Sequence, residues 1–220
     1  MLVNESIWIK DVLTSLSKDQ IDPVANIGSS SHYFRTQVQP HIDHNVFHPL
    51  VLRSIRIYSL DVKSADGVDI VVDLEHGSIP ESIKKRFRLV VCSNLLEHVI
   101  DRQAVLHNTE EILDAGGFAL ITVPYRYPKH LDPLDTMYRP TPLELYKSFP
   151  ENKFVLRSQA VIRCGTLYRN IVGTPLGLVR RVARLFVPVP YRTWLGNVYT
   201  IPWMFRDVSV SCLLLQKNGA

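Results

Sequence analysis

The amino-acid sequence predicts an α/β fold, a sheet covered by helices on both faces, and three observations carry that expectation. Seven apolar, strand-like runs are spread along the chain and alternate with segments of helical periodicity. Several of these runs are apolar throughout, the pattern of strands buried on both faces. Polar and small residues gather at their carboxyl ends, where open α/β sheets bind ligands.

Residues Asn4 to Leu16 place Trp8, Val12 and Leu16 at i, i+4, i+8, with Ile9 and Leu13 alongside, so a short helix with one apolar face opens the order of elements. Pro23 precedes a first strand, VANIG (24–28), which stops in a Ser/Gly cluster. SIRIYSLDV (54–62) alternates and is rich in branched residues, and VDIVVDL (68–74) is a second run of that kind. SIPESIKKRF (78–87) predicts a short helix, with Ser78 as cap and Glu81 at the capping-box spacing. RLVVCSNLLEHV (88–99) starts as an apolar strand and turns polar at Ser93. In DRQAVLHNTEEILDAGG (101–117), Asp101 caps a helix whose Val105, Thr109, Ile112 and Leu113 share a face, and Gly116 provides a left-handed stop. FALITVP (118–124), KFVLRSQAVIR (153–163) and DVSVSCLLLQK (207–217) complete the strands. One junction conflicts with this scheme. Only about seven residues separate the strand ending near Asp61 from the one starting near Asp69, whereas a parallel crossover takes a dozen or more. Either that crossover lacks its helix or one strand is shorter.

With 220 residues, 46% apolar and 21% charged, the chain reads as one globular domain spanning 1–220, which excludes disorder, collagen and coiled coil. No apolar run approaches the roughly 18 residues of a spanning helix. MLVNESIWIKDVL lacks the basic start, apolar middle and cleavage site of a secretory signal. Cys92, Cys164 and Cys212 are odd in number and widely spaced, which fits buried thiols in a reducing compartment better than disulfides or a zinc site. A cytoplasmic location is expected. Charge is uneven: the net is +4, yet Asn152 to Arg206 holds nine Lys and Arg and no Asp or Glu. That asymmetry is either an ordinary solvated surface or the mark of an anionic partner.

At the strand ends stand Asn26 to Ser31, Asp61, Asp73 and Leu74, Ser93 to His98, and the residues from Pro124 onward. An acid ending the second strand, about thirty residues after a Gly/Ser turn, can accept hydrogen bonds from both hydroxyls of a ribose. A turn of small residues lets backbone N–H groups approach a carboxylate or phosphate.

In order and wording, these segments resemble the class I S-adenosylmethionine-dependent methyltransferases, in the broad group with an LEH signature after the fourth strand (methyltransferase type 11-like). The match runs from about Val24 to Phe149. NIGSSSHYFR (26–35) stands where the family has its acidic-x-Gly-x-Gly-x-Gly turn, Asp61 at the ribose acid, and Asp73 with Leu74 at the adenine-contacting pair. VVCSNLLEHVID (90–101) followed by DAGGFALITVP (114–124) is the most specific match. The resemblance implies a Rossmann-like, seven-stranded, mostly parallel sheet whose last strand is antiparallel. It implies a transferase that uses S-adenosylmethionine, with cofactor-binding residues Asn26, Gly28, Ser29, Ser30, Ser31, Asp61, Asp73, Leu74, Ser93, Asn94 and Leu95. Asn26 replaces the acid and loses the charge that would pair with the methionine ammonium; Ser30 and His32 replace the second and third glycines. Weakened cofactor affinity follows. A non-catalytic relative that binds an anionic partner or a membrane surface is the alternative.

YPKHLDPLDTMYRPTPLELYKSF (127–149) looks like the substrate-side loop of a subset acting in glycan or small-molecule pathways, which implies such an acceptor and O-methylation. Neither an Asn/Asp-Pro-Pro-aromatic run nor a strand-end Cys is present, so a nucleic-acid partner is not expected. A nicotinamide-dependent oxidoreductase is disfavoured because IGSSSHYF lacks the GxGxxG spacing.

The candidate catalytic residues are His130, Asp135 and His98. In HLDPLD, His130 with Asp132 or Asp135 forms a His–carboxylate pair able to deprotonate a hydroxyl, or else Arg139 and an Asp pin the loop. His98 either reaches substrate or makes a structural hydrogen bond. His41, His44 and His48 with Asp43 crowd HIDHNVFH, but no Cys or Glu cluster lies near, so a solvated connector is expected and no metal site. In TPLGLVRRVARLFV (174–187), Leu176, Val179, Ala183 and Phe186 share one helical face, with Arg180, Arg181 and Arg184 on the other. Residues 164–206 are therefore read as a basic, apolar lid over the cleft. Its arginines either stay structural, grip an anionic or lipid-linked acceptor, or meet anionic lipid in a peripheral membrane contact.

Overall fold

The seven apolar runs pair into one sheet in the computed structural model, which describes residues 1–130, 134–150, 152–172, 175–188 and 190–219. The strands are β1 (Val24–Ile27), β2 (Ile57–Asp61), β3 (Ile70–Val71), β4 (Phe87–Ser93), β5 (Leu113–Arg126), β6 (Phe154–Thr166) and β7 (Asp207–Lys217). Their order across the sheet is β3-β2-β1-β4-β5-β7-β6. β1 to β5 run parallel, and β7 enters between β5 and β6 antiparallel to both. The helices are α1 (Val3–Ser15), α2 (Lys18–Ile21), α3 (Pro40–Ile42), α4 (His48–Leu52), α5 (Arg102–Ile112), α6 (Pro142–Lys147), α7 (Pro175–Ala183) and α8 (Tyr191–Thr200).

Successive side chains of a strand point to opposite faces, so an unbroken apolar strand feeds two cores at once. β4 does this. Val90 and Cys92 pack with Leu60, Val105 and Leu145 on one side, while Leu89 and Val91 pack with Ile9, Val46 and Leu120 on the other. Asp101 caps α5 by accepting from the Ala104 N–H, but the helix stops at Ile112 with Leu113 already extended, so Gly116, although left-handed, lies inside β5 and is not the helix stop. The three thiols are buried and free.

Several expectations need correction. The buried face of α1 is rotated: Glu5, Ser6, Ile9 and Leu13 point inward, and Trp8, Val12 and Leu16 only border the core. The crossover conflict resolves both ways, since β3 has two residues and the link from β2 carries no helix. Asp69 closes that link by accepting from the Ser59 N–H at 2.7 Å. The helix expected over 78–87 shrinks to a turn at Glu81–Ile83. Its last residues serve α5 instead, with the Lys85 and Arg86 N–H groups donating to the Glu111 and Ile112 carbonyls. HIDHNVFH is not a solvated connector. It lies within a helical stretch, with π-helical turns at Phe34–Val38 and Asp43–Phe47, because Ile42, Val46, Phe47 and Leu50 bury themselves against the sheet. Among the described residues no helix is long and apolar enough to cross a membrane.

Candidate functional site

The turn after β1 brings the chain back beside the end of β4. Gly28 has φ +65°, which favours glycine, and a Cβ there would lie 2.9 Å from a Leu95 methyl, so a larger residue would also have to displace that side chain. Ser30 shares the left-handed region (φ 56°), which a serine adopts at a cost. Two interactions hold it. The Ser30 N–H donates to Asp61 Oδ2 at 2.8 Å, and the Arg35 guanidinium donates to the carbonyls of Ser29 (2.8 Å), Ser30 (2.7 Å) and Gly67 (2.9 Å). Arg35 is buried, and burial pulls its pKa down against the opposing pull of Asp69, Asp43, Asp61 and Asp66. Sequence reasoning missed Arg35, because nothing in its spacing marks it as the residue that replaces glycine's freedom.

At the β3 end, Asp73 accepts from the His76 (3.0 Å) and Glu75 (2.8 Å) N–H groups, and these bonds hold its carboxyl below the usual range. Leu74 is buried, its carbonyl accepting from Asn108 of α5. Glu75, also missed, accepts from the Ile100 and Asp101 N–H groups at 2.7 and 2.8 Å, joining this loop to the one after β4. Asn26 is buried in β1 between Ser59 of β2 and Val91 of β4.

The end of β4 is the most unusual part. Ser93 Oγ and Glu97 Oε2 are buried without a hydrogen-bond partner among the described residues. Asn94, with φ 51°, donates its side-chain N–H to Glu5 Oε1 at 2.8 Å, and the Thr122 hydroxyl of β5 donates to the same oxygen at 2.6 Å. Glu5 Oε2 accepts from the Leu2 N–H. A fully buried carboxylate from α1 thus lies against the ends of both central strands. Its signal was present, since Glu5, Ile9 and Leu13 are spaced i, i+4, i+8.

Leu96, Glu97 and His98 form one tight turn. Burial pushes the Glu97 carboxyl up to about 8, Arg139 opposing and Glu5 reinforcing the shift. Thr136 binds the Glu97 carbonyl through its N–H (2.9 Å) and hydroxyl (3.0 Å), which folds the loop after β5 back onto this turn. The His98 and His130 rings meet edge to face, 5.0 Å between centroids, and Tyr127 lies beyond at 5.7 Å from His130. Asp135 takes the loop-pinning role. It accepts from Arg139 at 2.6 Å and from the His130 and Met137 N–H groups, while its Oδ2 is 3.7 Å from His130 Nε2. Burial pushes the Asp135 carboxyl up, but these donors outweigh it and hold the group below its ordinary value. Asp132 lies outside the described residues. His98, His130 and Asp135 therefore converge, whereas His41 is diverted to the Met1 carbonyl.

The expected lid is buried in part, through Leu167 and Met204, but not through the described residues of its helical apolar face. Val179, Ala183 and Phe186 are exposed, Phe186 by 83%. The side chains of Leu176, Arg181 and Arg192 fall outside the described ones.

No protein-family model matches the chain, and no curated protein matches it in sequence. Solved structures do match in shape. The MccD protein is 12% identical with a TM-score of 0.59, each chain covered over 96% of its length. Coclaurine N-methyltransferase, solved with N-methylheliamine and S-adenosylhomocysteine, is 14% identical with a TM-score of 0.59, covering 96% of this chain and 70% of that one. A methyltransferase-like protein of Bacillus halodurans is 11% identical with a TM-score of 0.55, over 96% and 99% of the two chains. The strand order, the antiparallel last strand and these likenesses together give the chain the fold of the class I S-adenosylmethionine-dependent methyltransferases.

Proposed function

We propose that the protein is an S-adenosylmethionine-dependent methyltransferase that methylates an oxygen of a small-molecule or glycan-type acceptor. The observation that carries this reading is the convergence of two imidazoles, His98 and His130, at the strand ends that also bear the Gly28–Ser31 turn and Asp61. The residues fit the cofactor. Asp61 spends one lone pair of each carboxylate oxygen on the Ser30 and Lys63 N–H groups and keeps others for ribose hydroxyls. Ser93 Oγ is a buried polar atom without a partner among the described residues. Gly28, lacking a Cβ, lets the turn backbone approach closely beside Leu95. The cofactor, when bound, supplies a methyl group already made electrophilic by its sulfonium. What remains for the chain is to align the acceptor oxygen, exclude water and take charge of the hydroxyl proton, and the last task belongs to the His98–His130 pair.

A calorimetric titration with S-adenosylhomocysteine tests the cofactor assignment. Asp61→Ala removes a charged acceptor and is expected to weaken binding by about 1.5–3 kcal/mol, roughly 10- to 150-fold. Unchanged affinity contradicts the assignment.

The acceptor we infer is anionic or lipid-linked, met by a cytoplasmic protein in peripheral contact with a membrane. Free buried thiols support the compartment, and the acid-free stretch from Asn152 to Arg206 supports the charge. Val179, Phe186, Tyr191 and Phe205 stay exposed within that stretch, which supports an interfacial role over a lid sealed onto the sheet. Reversing Arg180 and Arg184 to Glu should weaken binding to anionic vesicles, more visibly at low salt. Equal binding by this variant and the wild type at low salt leaves the segment as a structural cover.

A further inference from the structure

The geometry points to a binding site for a divalent first-row transition-metal ion, Zn²⁺ being the best-fitting case, formed by Glu97, His98 and His130 where the loops after β4 and β5 meet. One ligand atom from each of these residues lies within 4.8 Å of the other two. Metal–ligand bonds of about 2.0–2.2 Å place ligand atoms about 3–4 Å apart, so small side-chain rotations close the set.

Two independent details aim these groups at a cation. The Glu97 side chain is 1% exposed, and its Oε2 accepts no hydrogen bond among the described residues. A buried carboxyl oxygen without a partner is costly unless a proton or a cation meets it, and a cation brought here would displace the proton. His98 supplies the second detail. Its Nδ1 faces the Leu134 carbonyl, and a carbonyl can only accept, so Nδ1 carries a proton, and in the neutral ring Nε2 holds a lone pair. That lone pair lies 3.7 Å from Glu97 Oε1, too far for a hydrogen bond and the right arrangement for two donors to one ion. A carbonyl holding the far nitrogen of an imidazole is the usual outer support of a metal-binding histidine.

Two imidazoles and one carboxylate select zinc or iron over magnesium, which prefers oxygen alone. Three protein ligands leave at least one coordination position free. Glu97 lies at the back, while His98 and His130 are partly exposed at 20% and 26%, so the free position faces solvent and an incoming oxygen. The ion would take the lone pairs that the proposed proton transfer uses, so the metal-bound and metal-free chains differ in that step; ion binding itself needs neither cofactor nor acceptor.

The test is equilibrium dialysis of the untagged full chain against Zn²⁺, with bound metal measured by elemental analysis. One tightly bound Zn²⁺ per chain is expected, with affinity at least about tenfold lower in Glu97→Gln and in His130→Ala. His130→Ala is the second variant because its side chain is partly exposed and outside the core, and thermal midpoints verify folding of both. The paired variant His44→Ala/His48→Ala should retain the site. Absence of stoichiometric Zn²⁺ in the wild type, or wild-type affinity in folded His130→Ala, overturns the proposal. Failure of cofactor binding in the earlier titration would leave this result untouched.

Discussion

Replacing His98 with alanine is expected to lower turnover by roughly 10²–10⁴-fold, the span supplied by one positioned group that handles a proton. The cofactor side should hardly respond. The Ser29 and Ser30 carbonyls are held by Arg35, the Asp61 carboxylate by backbone N–H groups and the Leu74 carbonyl by Asn108 of α5. Once an acceptor is found, the check is a comparison of kcat with S-adenosylhomocysteine affinity in the same variant. Full turnover in His98→Ala removes the imidazole from the mechanism and leaves alignment as the main catalytic factor. A parallel loss of cofactor affinity would show that the substitution disturbed the LEH turn and the loop carrying Leu134, which binds the ring.

The second large effect is on stability. Glu5→Ala should cost about 2–5 kcal/mol, because the Thr122 hydroxyl and the Asn94 amide would each lose their charged acceptor in a buried place. In a chain of 220 residues that amounts to a fall in Tm on the order of 10 °C. Glu5→Gln keeps one acceptor oxygen and should recover part of the loss. Thermal denaturation of the three proteins decides the matter; a melting point for Glu5→Ala within about 2 °C of the wild type would remove Glu5 as the anchor of α1.

The strands were legible because the buried lengths of β1, β4, β5 and β7 are mostly apolar, interrupted only by small or medium polar residues such as Asn26, Thr122, Ser209 and Ser211. The helix at 78–87 was misread for a reason of competition. Ser78 and Glu81 do have capping-box spacing, but Ile79 and Ile83 are drawn into the core, and the Lys85 and Arg86 N–H groups are claimed by the end of α5. Within the candidate site, strand-end logic located Asp61, Ser93 and His98. It did not locate Glu5, which reaches the site from a helix distant in sequence, or Arg35, which folds back from the helical turn that follows the Gly28–Ser31 turn. Glu97 was hidden differently. A lone Glu beside a His in sequence gives no hint that it is buried with an oxygen unpartnered among the described residues; that follows from the loop after β5 folding over it.

The bond between Glu5 and Thr122 spans 117 positions. During ribosomal synthesis, at about 5–20 residues per second, Glu5 therefore emerges on the order of ten seconds before the hydroxyl that will receive it. Throughout that interval the nascent chain carries an acid destined for a dry interior, and α1 cannot dock until both central strands exist. The floor beneath the LEH turn is accordingly begun with one residue and finished only with another 117 positions later. A chain stalled before Thr122 holds the Gly28–Ser31 turn and Asp61 in sequence but has no completed site to offer.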